Sequence, residues 1–185
     1  MNKILDESRV VGTLNETSKD DQGYAVVDYE NLVYKFDAIT NDIANVYRVK
    51  RPHRSCDALY IKDNQHIYLI EFKNVRKSRI PVKELQQKAY DSIMTLQLAF
   101  FPDLSINDLK ERVVLIVVYN DNGIIEKEQE SVSFDALKSK LSSYANGGSK
   151  VLFNLDIFQG VLYKEVLTLE KQEYSKAMHN VIFDT

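Results

Sequence analysis

Two short alternating stretches joined by a polar link are what most constrain the fold of this chain. Residues 56–62, which include Asp57-Ala58-Leu59-Tyr60-Ile61, and residues 66–73, which include Ile67-Tyr68-Leu69-Ile70-Glu71-Phe72-Lys73, read as strands, and Lys62-Asp63-Asn64-Gln65 reads as the turn of a hairpin. Strand side chains alternate with period two. Ile67, Leu69, Glu71 and Lys73 therefore share one face, and Tyr68, Ile70 and Phe72 share the other. A three-residue loop, Asp63 to Gln65, pairs 61 with 67, 59 with 69 and 57 with 71. That register sets Asp57 opposite Glu71, with Cβ atoms roughly 5 Å apart. Two carboxylates and an ammonium at the end of an otherwise apolar sheet are expensive to desolvate unless compensated. A hard divalent cation is the obvious compensation, and chemistry is the reading this favours over packing.

At 185 residues the chain suits one domain with a sizeable core. Its 44% hydrophobic and 28% charged residues are those of a soluble globular protein. The first residues, Met1 to Glu7, meet acid too early for a secretory segment, and no apolar run approaches the ~20 residues of a membrane span. A single cysteine excludes an internal disulfide framework. These features point to a cytoplasmic protein without a membrane partner. The net charge of −3 hides an asymmetry: from Arg48 to Lys83 ten Lys and Arg stand against three acids, so the other 149 residues carry −10. A basic stretch flanking a carboxylate pair is how an acidic protein focuses a polyanion onto one site.

Periodicity orders the remaining elements. Residues 1–22 read as a flexible N-terminal segment. Tyr29, Leu32, Val33, Phe36, Ile39 and Ile43 recur at helical spacing and predict a helix over 23–44. A strand is expected over 46–50 ahead of Pro52. Leu85, Ala89, Ile93, Leu96 and Phe100 predict a long helix over 83–101, and Ser105 opens a short one. Val113 to Tyr119 is a continuous apolar run, the mark of a strand buried on both faces. Beyond it come a helix over 133–144 carrying Phe134, Leu137 and Leu141, a break at 146–149, strands over 151–158 and 161–169, and a terminal helix over 170–180. The expected organisation is a core over 23–145 with residues 146–185 as a strand and helix extension of the same domain.

The order of these elements, with Asp57, thirteen intervening residues and then Glu71-Phe72-Lys73, resembles the PD-(D/E)XK nuclease superfamily, the restriction-endonuclease-like fold. Gln86-x-x-x-Tyr90 on the following helix is similar to the Gln-x-x-x-Tyr motif of the RecB-like and λ-exonuclease-like branch. The resemblance covers roughly residues 28–119. It departs from the nominal pattern at Cys56, where the motif has Pro. It implies an α/β fold with a three-layer core, a mixed central sheet flanked by helices, and hydrolysis of DNA phosphodiester bonds. Asp57, Glu71 and the Phe72 carbonyl would hold Mg²⁺ or Mn²⁺, and Lys73 would orient or deprotonate the attacking water and stabilise negative charge. Gln86 and Tyr90 would position the water or the phosphate. Glu30, or Asp37 seven residues on, would be the acid contributed by the first helix. Arg51, Arg54, Arg76, Lys77 and Arg79 are the expected phosphate contacts. The resemblance also admits a homodimer.

Plainer readings stand beside these. Asp57 and Glu71 can pair with Lys73 or an arginine as an ordinary ion cluster, and Gln86 and Tyr90 can be a solvated helix face. His53, His66 and His179 lack ligand spacing, so no zinc site is expected. Cys56 falls on the strand face opposite Asp57, with no adjacent histidine, and reads as a small core residue. Two other functions compete with the nuclease: a non-catalytic nucleic-acid-binding module of the same fold, and a protein-interaction factor using the acidic surface.

Overall fold

Among the described residues six strands form one open mixed sheet in sequence order: β1 (Val11–Thr13), β2 (Leu32–Lys35), β3 (Ala58–Ile61), β4 (Ile67–Lys73), β5 (Val113–Tyr119) and β6 (Glu165–Glu170). This computed structural model describes residues 7–50, 52–121 and 151–183. Strands β1 to β4 are antiparallel neighbours, whereas β4, β5 and β6 run parallel. Strand β5, paired on both edges, is buried along almost its whole length, as its unbroken apolar run requires. The β3–β4 register is the expected one, with Ile61 opposite Ile67 and Leu59 opposite Leu69. The fold is α/β, with helices packed against this sheet.

Two apolar layers sandwich it. Leu59, Ile67, Leu69, Leu115 and Val117 meet α3 (Phe36–Val46) and α4 (Val82–Phe100) through Phe36, Ile39, Leu85, Ala89, Ile93 and Leu96. On the opposite face, Ala58, Tyr68, Ile70, Phe72, Ile116 and Val118 meet Leu14, Val26, Val27, Tyr174 and Ile182. The parity read from the sequence therefore holds along β4. It fails at Cys56, which lies before β3 and joins the α4 layer, its N–H donating to Ser92 Oγ at 2.8 Å. Parity applies only inside a strand, and β3 begins at Ala58.

The N-terminal third differs most from expectation. Residues 7–22 are structured: α1 (Glu7–Val10), β1 and α2 (Leu14–Thr17) follow one another, with a capping box between Thr13 and Glu16. The helix expected over 23–44 begins only at Phe36. Its first apolar positions instead serve β2, where pairing with both β1 and β3 outweighs an accidental 3.6-residue spacing. No strand forms over 46–50. Helix α3 runs to Val46, Arg48 adopts a left-handed φ of 54°, and Val46, Tyr47 and Val49 are exposed.

Helix α4 and the short α5 (Ile106–Lys110), capped by Ser105, lie where periodicity put them. The strand expected over 151–158 is absent. Phe153 and Asn154 take left-handed φ values of 62° and 53°, and a 3₁₀ turn follows at Asp156–Phe158. Only the second stretch forms a strand, as β6, and the C-terminal residues from Lys171 to Phe183 are helical with a π turn at Tyr174–Met178. Tyr163, fully buried, donates its hydroxyl to the Ala89 carbonyl at 2.5 Å and so fixes this region to α4. The expected helix over 133–144 and the break at 146–149 lie outside the described residues. Among the described residues no helix is long and apolar enough to cross a membrane.

Candidate active site

Strand pairing between β3 and β4 stops one residue short of Asp57, and the charged cluster occupies the gap this leaves. Asp57 is held from three directions. Its N–H donates to the Ile70 carbonyl at 3.1 Å, its carbonyl accepts from the first N–H of α3 at Phe36, and its Oδ2 accepts from the Phe72 N–H at 2.7 Å. Glu71, on the α4 face of β4, is fully buried. Lys73, two residues on and on the same face, forms an ion pair with Glu71, its Nζ 2.8 Å from Oε1. A second ammonium arrives from α4. Lys88 Nζ lies 2.8 and 2.9 Å from the two Glu71 oxygens and 3.2 Å from Asp57 Oδ1. Its three N–H donors are thereby matched by three carboxylate oxygens.

Two carboxylates and two ammoniums thus sit at the junction of β3, β4 and α4 with little solvent. Side-chain exposure is 0% for Glu71, 16% for Lys88, 17% for Lys73 and 26% for Asp57. Burial, and then the Glu71 carboxylate, push the Asp57 carboxyl up to about 7, against the opposing pull of Lys88, the Phe72 N–H and Lys73. Burial draws the Lys88 ammonium down, but Glu71 and Asp57 reverse this and hold it above its ordinary range. Burial, reinforced by Glu71, raises the Cys56 thiol, which suits a core residue better than a nucleophile.

The cluster floors a cleft of about 460 Å³ lined by residues 18–22, Val26, Asp57, Phe72–Val75, Glu84 and Lys88. One wall is the N-terminal loop. Asp20 Oδ2 accepts from Asn74 Nδ2 at 2.8 Å, and Asn74 Oδ1 accepts from Asn120 Nδ2 at 2.9 Å, so the loop is tied to the ends of β4 and β5. Past β4, Arg76, Lys77 and Arg79 lie exposed around a 3₁₀ turn and do not themselves line the cleft. Arg54 pairs with Glu84 at 2.9 Å. Arg51 lies outside the described residues.

The other candidates stand apart from the cluster. Gln86 and Tyr90 are two residues either side of Lys88, which turns them roughly 160° away around the helix. Gln86 donates to the Asn154 carbonyl at 3.0 Å, and Tyr90 is 52% exposed. Glu30 is exposed in the loop before β2 rather than on a helix, and Asp37 is exposed at the start of α3. Neither lines the cleft. Lys88 is absent from the sequence-level candidates although the pattern carries a sign of it. It follows buried Leu85 by three residues and precedes buried Ser92 by four, so it takes an inward position on α4.

The oxygens suit the divalent cation that the resemblance implies. The carboxylates of Asp57 and Glu71 already converge on one cationic centre, the Lys88 ammonium, and are hard donors of the kind Mg²⁺ prefers. The N–H and C=O of a strand residue lie on the same edge, so the Phe72 carbonyl is on the edge whose N–H meets Asp57. Among the described residues no group of three or more His, Cys, Asp and Glu side chains could hold a metal ion, so the carbonyl and water would complete the shell. No family model matches this chain, and neither a curated protein nor a solved structure matches it.

Proposed function

We propose that this protein is a metal-dependent nuclease of the restriction-endonuclease-like fold that hydrolyses DNA phosphodiester bonds at the Asp57–Glu71–Lys73 cluster. The observation that carries this reading is the convergence of Asp57 and Glu71, from two adjacent strands, on one cation beside Lys73 at the floor of an open cleft. The antiparallel β2–β3–β4 meander, with β5 joining parallel to β4 after α4, supports the fold assignment. Asp57, Glu71 and the Phe72 carbonyl would hold Mg²⁺ or Mn²⁺, which supplies Lewis acidity at the phosphate and a more acidic bound water. Lys73 places positive charge where the phosphate gains negative charge. Arg76, Lys77 and Arg79 bind backbone phosphates without selecting sequence.

The test is incubation of the purified protein with circular single-stranded, supercoiled and linear DNA in Mg²⁺ or Mn²⁺, with EDTA and Lys73→Ala as controls. Metal-dependent cleavage is expected, reduced about 10²–10³-fold in Lys73→Ala. Absence of cleavage on every substrate by a folded protein would overturn the reading. One observation favours a second function, a non-catalytic DNA-binding module: Lys73 and Lys88 already balance the charges of Asp57 and Glu71. That module would bind DNA in EDTA, survive Glu71→Gln, and weaken steeply as salt rises.

A further inference from the structure

Lys88 is the one member of the buried cluster to which the nuclease reading assigns no role. Its ammonium makes three contacts of 3.2 Å or less with the two carboxylates that would hold a metal. A divalent cation ligated by those oxygens at about 2.1 Å would occupy the region the ammonium now fills. Two like charges cannot share that space in a site with so little solvent, because the repulsion is poorly screened there. The carboxylates have few other ways to be neutralised. Lys73 reaches Glu71 Oε1 but is not within ion-pair distance of Asp57.

We infer that the Lys88 ammonium is a built-in cation that keeps the Asp57–Glu71 pair closed, and that a hard divalent metal binds only by displacing it. This inference rests on the proposed metal-dependent reading of the same site. The displaced side chain has somewhere to go. Lys88 and Glu84 stand one turn apart on the same face of α4, and both line the cleft. Swung outward on its four methylenes, the ammonium would face the space where a phosphodiester lies. Lys88 then serves as counter-ion to the carboxylates in the empty protein and as counter-ion to the substrate in the loaded one. The geometry gives the exchange a direction: metal and polyanion each favour the outward position, so each should tighten binding of the other.

The experiment measures Mn²⁺ binding to the full-length protein without DNA, by the electron paramagnetic resonance signal of free Mn²⁺, for wild type, Lys88→Met and Lys73→Met. Displacement predicts that Lys88→Met binds Mn²⁺ about tenfold more tightly or better, the scale on which groups adjoining a metal change its affinity. Lys73→Met should gain clearly less. Equal or weaker binding by Lys88→Met overturns the inference. Should that variant not fold, the wild type decides by nuclear magnetic resonance of its ¹⁵N-labelled lysine ammonium groups. One slowly exchanging ammonium signal in EDTA should vanish as Mg²⁺ saturates the site, and its persistence would overturn displacement. Failure of the two readings is distinguishable. Metal-dependent DNA cleavage with unchanged Mn²⁺ affinity in Lys88→Met sinks the displacement alone, whereas no Mn²⁺ binding by any of the proteins sinks both.

Discussion

Polar groups are buried on both faces of the sheet, and the two faces treat them differently. On the α4 face they include formal charges: Glu71 ties Lys73 and Lys88 together, and Lys88 also reaches Asp57. On the opposite face they are uncharged or aromatic. His179, 8% exposed, stacks on Tyr29 with ring centroids 3.6 Å apart, and its Nε2 lies 2.7 Å from Asn31 Oδ1. That second cluster fastens the C-terminal helical residues to the loop before β2 by packing and one hydrogen bond. Ring stacking and one hydrogen bond achieve such fastening at small desolvation cost, whereas a buried ion quartet seldom stabilises more than the apolar residues that could replace it. The difference separates a structural use of buried polarity from the charge balance on which the proposed function rests.

The contrast can be broken most forcefully at Lys88. Without divalent metal, Lys88→Met leaves fully buried Glu71 with Lys73 alone and should cost about 3 kcal/mol in guanidinium unfolding, the scale for removing one partner of a buried pair. A loss near zero would place the cluster among exposed, well-solvated ion pairs. On the other face His179→Ala should cost about 2 kcal/mol, for the stacked ring and its hydrogen bond. The DNA binding proposed above should be unchanged in that variant, and a change would mean the two faces are coupled.

Acidity sharpens the comparison further. Asp57 sits above its ordinary 3.8, at about 7, so the folded protein retains a proton that the unfolded chain has released between those values. Its contribution to stability is complete below the lower value and is lost as pH rises through the higher one. In EDTA, wild type should therefore lose stability relative to Asp57→Asn from pH ~4 to ~7, as read by unfolding at several pH values. Parallel curves would remove the case for a raised carboxyl. The smallest effect belongs to Tyr174, whose buried hydroxyl finds no partner among the described residues. Tyr174→Phe should shift stability by no more than about 0.5 kcal/mol, or slightly raise it.

How much of this was legible in the sequence depended on how local the deciding interaction was. The β3–β4 register followed from alternation plus a short link, because a one-residue slip would move Leu59, Leu69 and Ile67 out of the core. Helix α4 and strand β5 declared themselves through long, consistent patterns. The helix expected from residue 23 did not form before Phe36, because β2 is decided by partners distant in the chain rather than by its own four residues. Glu71 and Lys73 could be grouped by parity along β4, and Asp57 joined them by extending the hairpin register one residue past β3. Lys88 could not, since a lysine on a helix ordinarily faces water and only the neighbouring buried Leu85, Ala89 and Ser92 reveal its inward position. Gln86 and Tyr90 matched a motif by spacing, but spacing fixes only that two residues share a helix face, not which way that face looks.

The Asp20–Asn74–Asn120 relay has a practical consequence for anyone trimming this protein. Residues 1–22 read from the sequence as a flexible segment, and a shortened version starting near Gly23 would be the natural choice for crystallisation or for fusion to another protein. Such a version would discard edge strand β1 and one wall of the cleft together, leaving Asn74 without its carboxylate partner. Shortened forms would then report on a damaged molecule, and a negative result from one would say nothing about the intact chain.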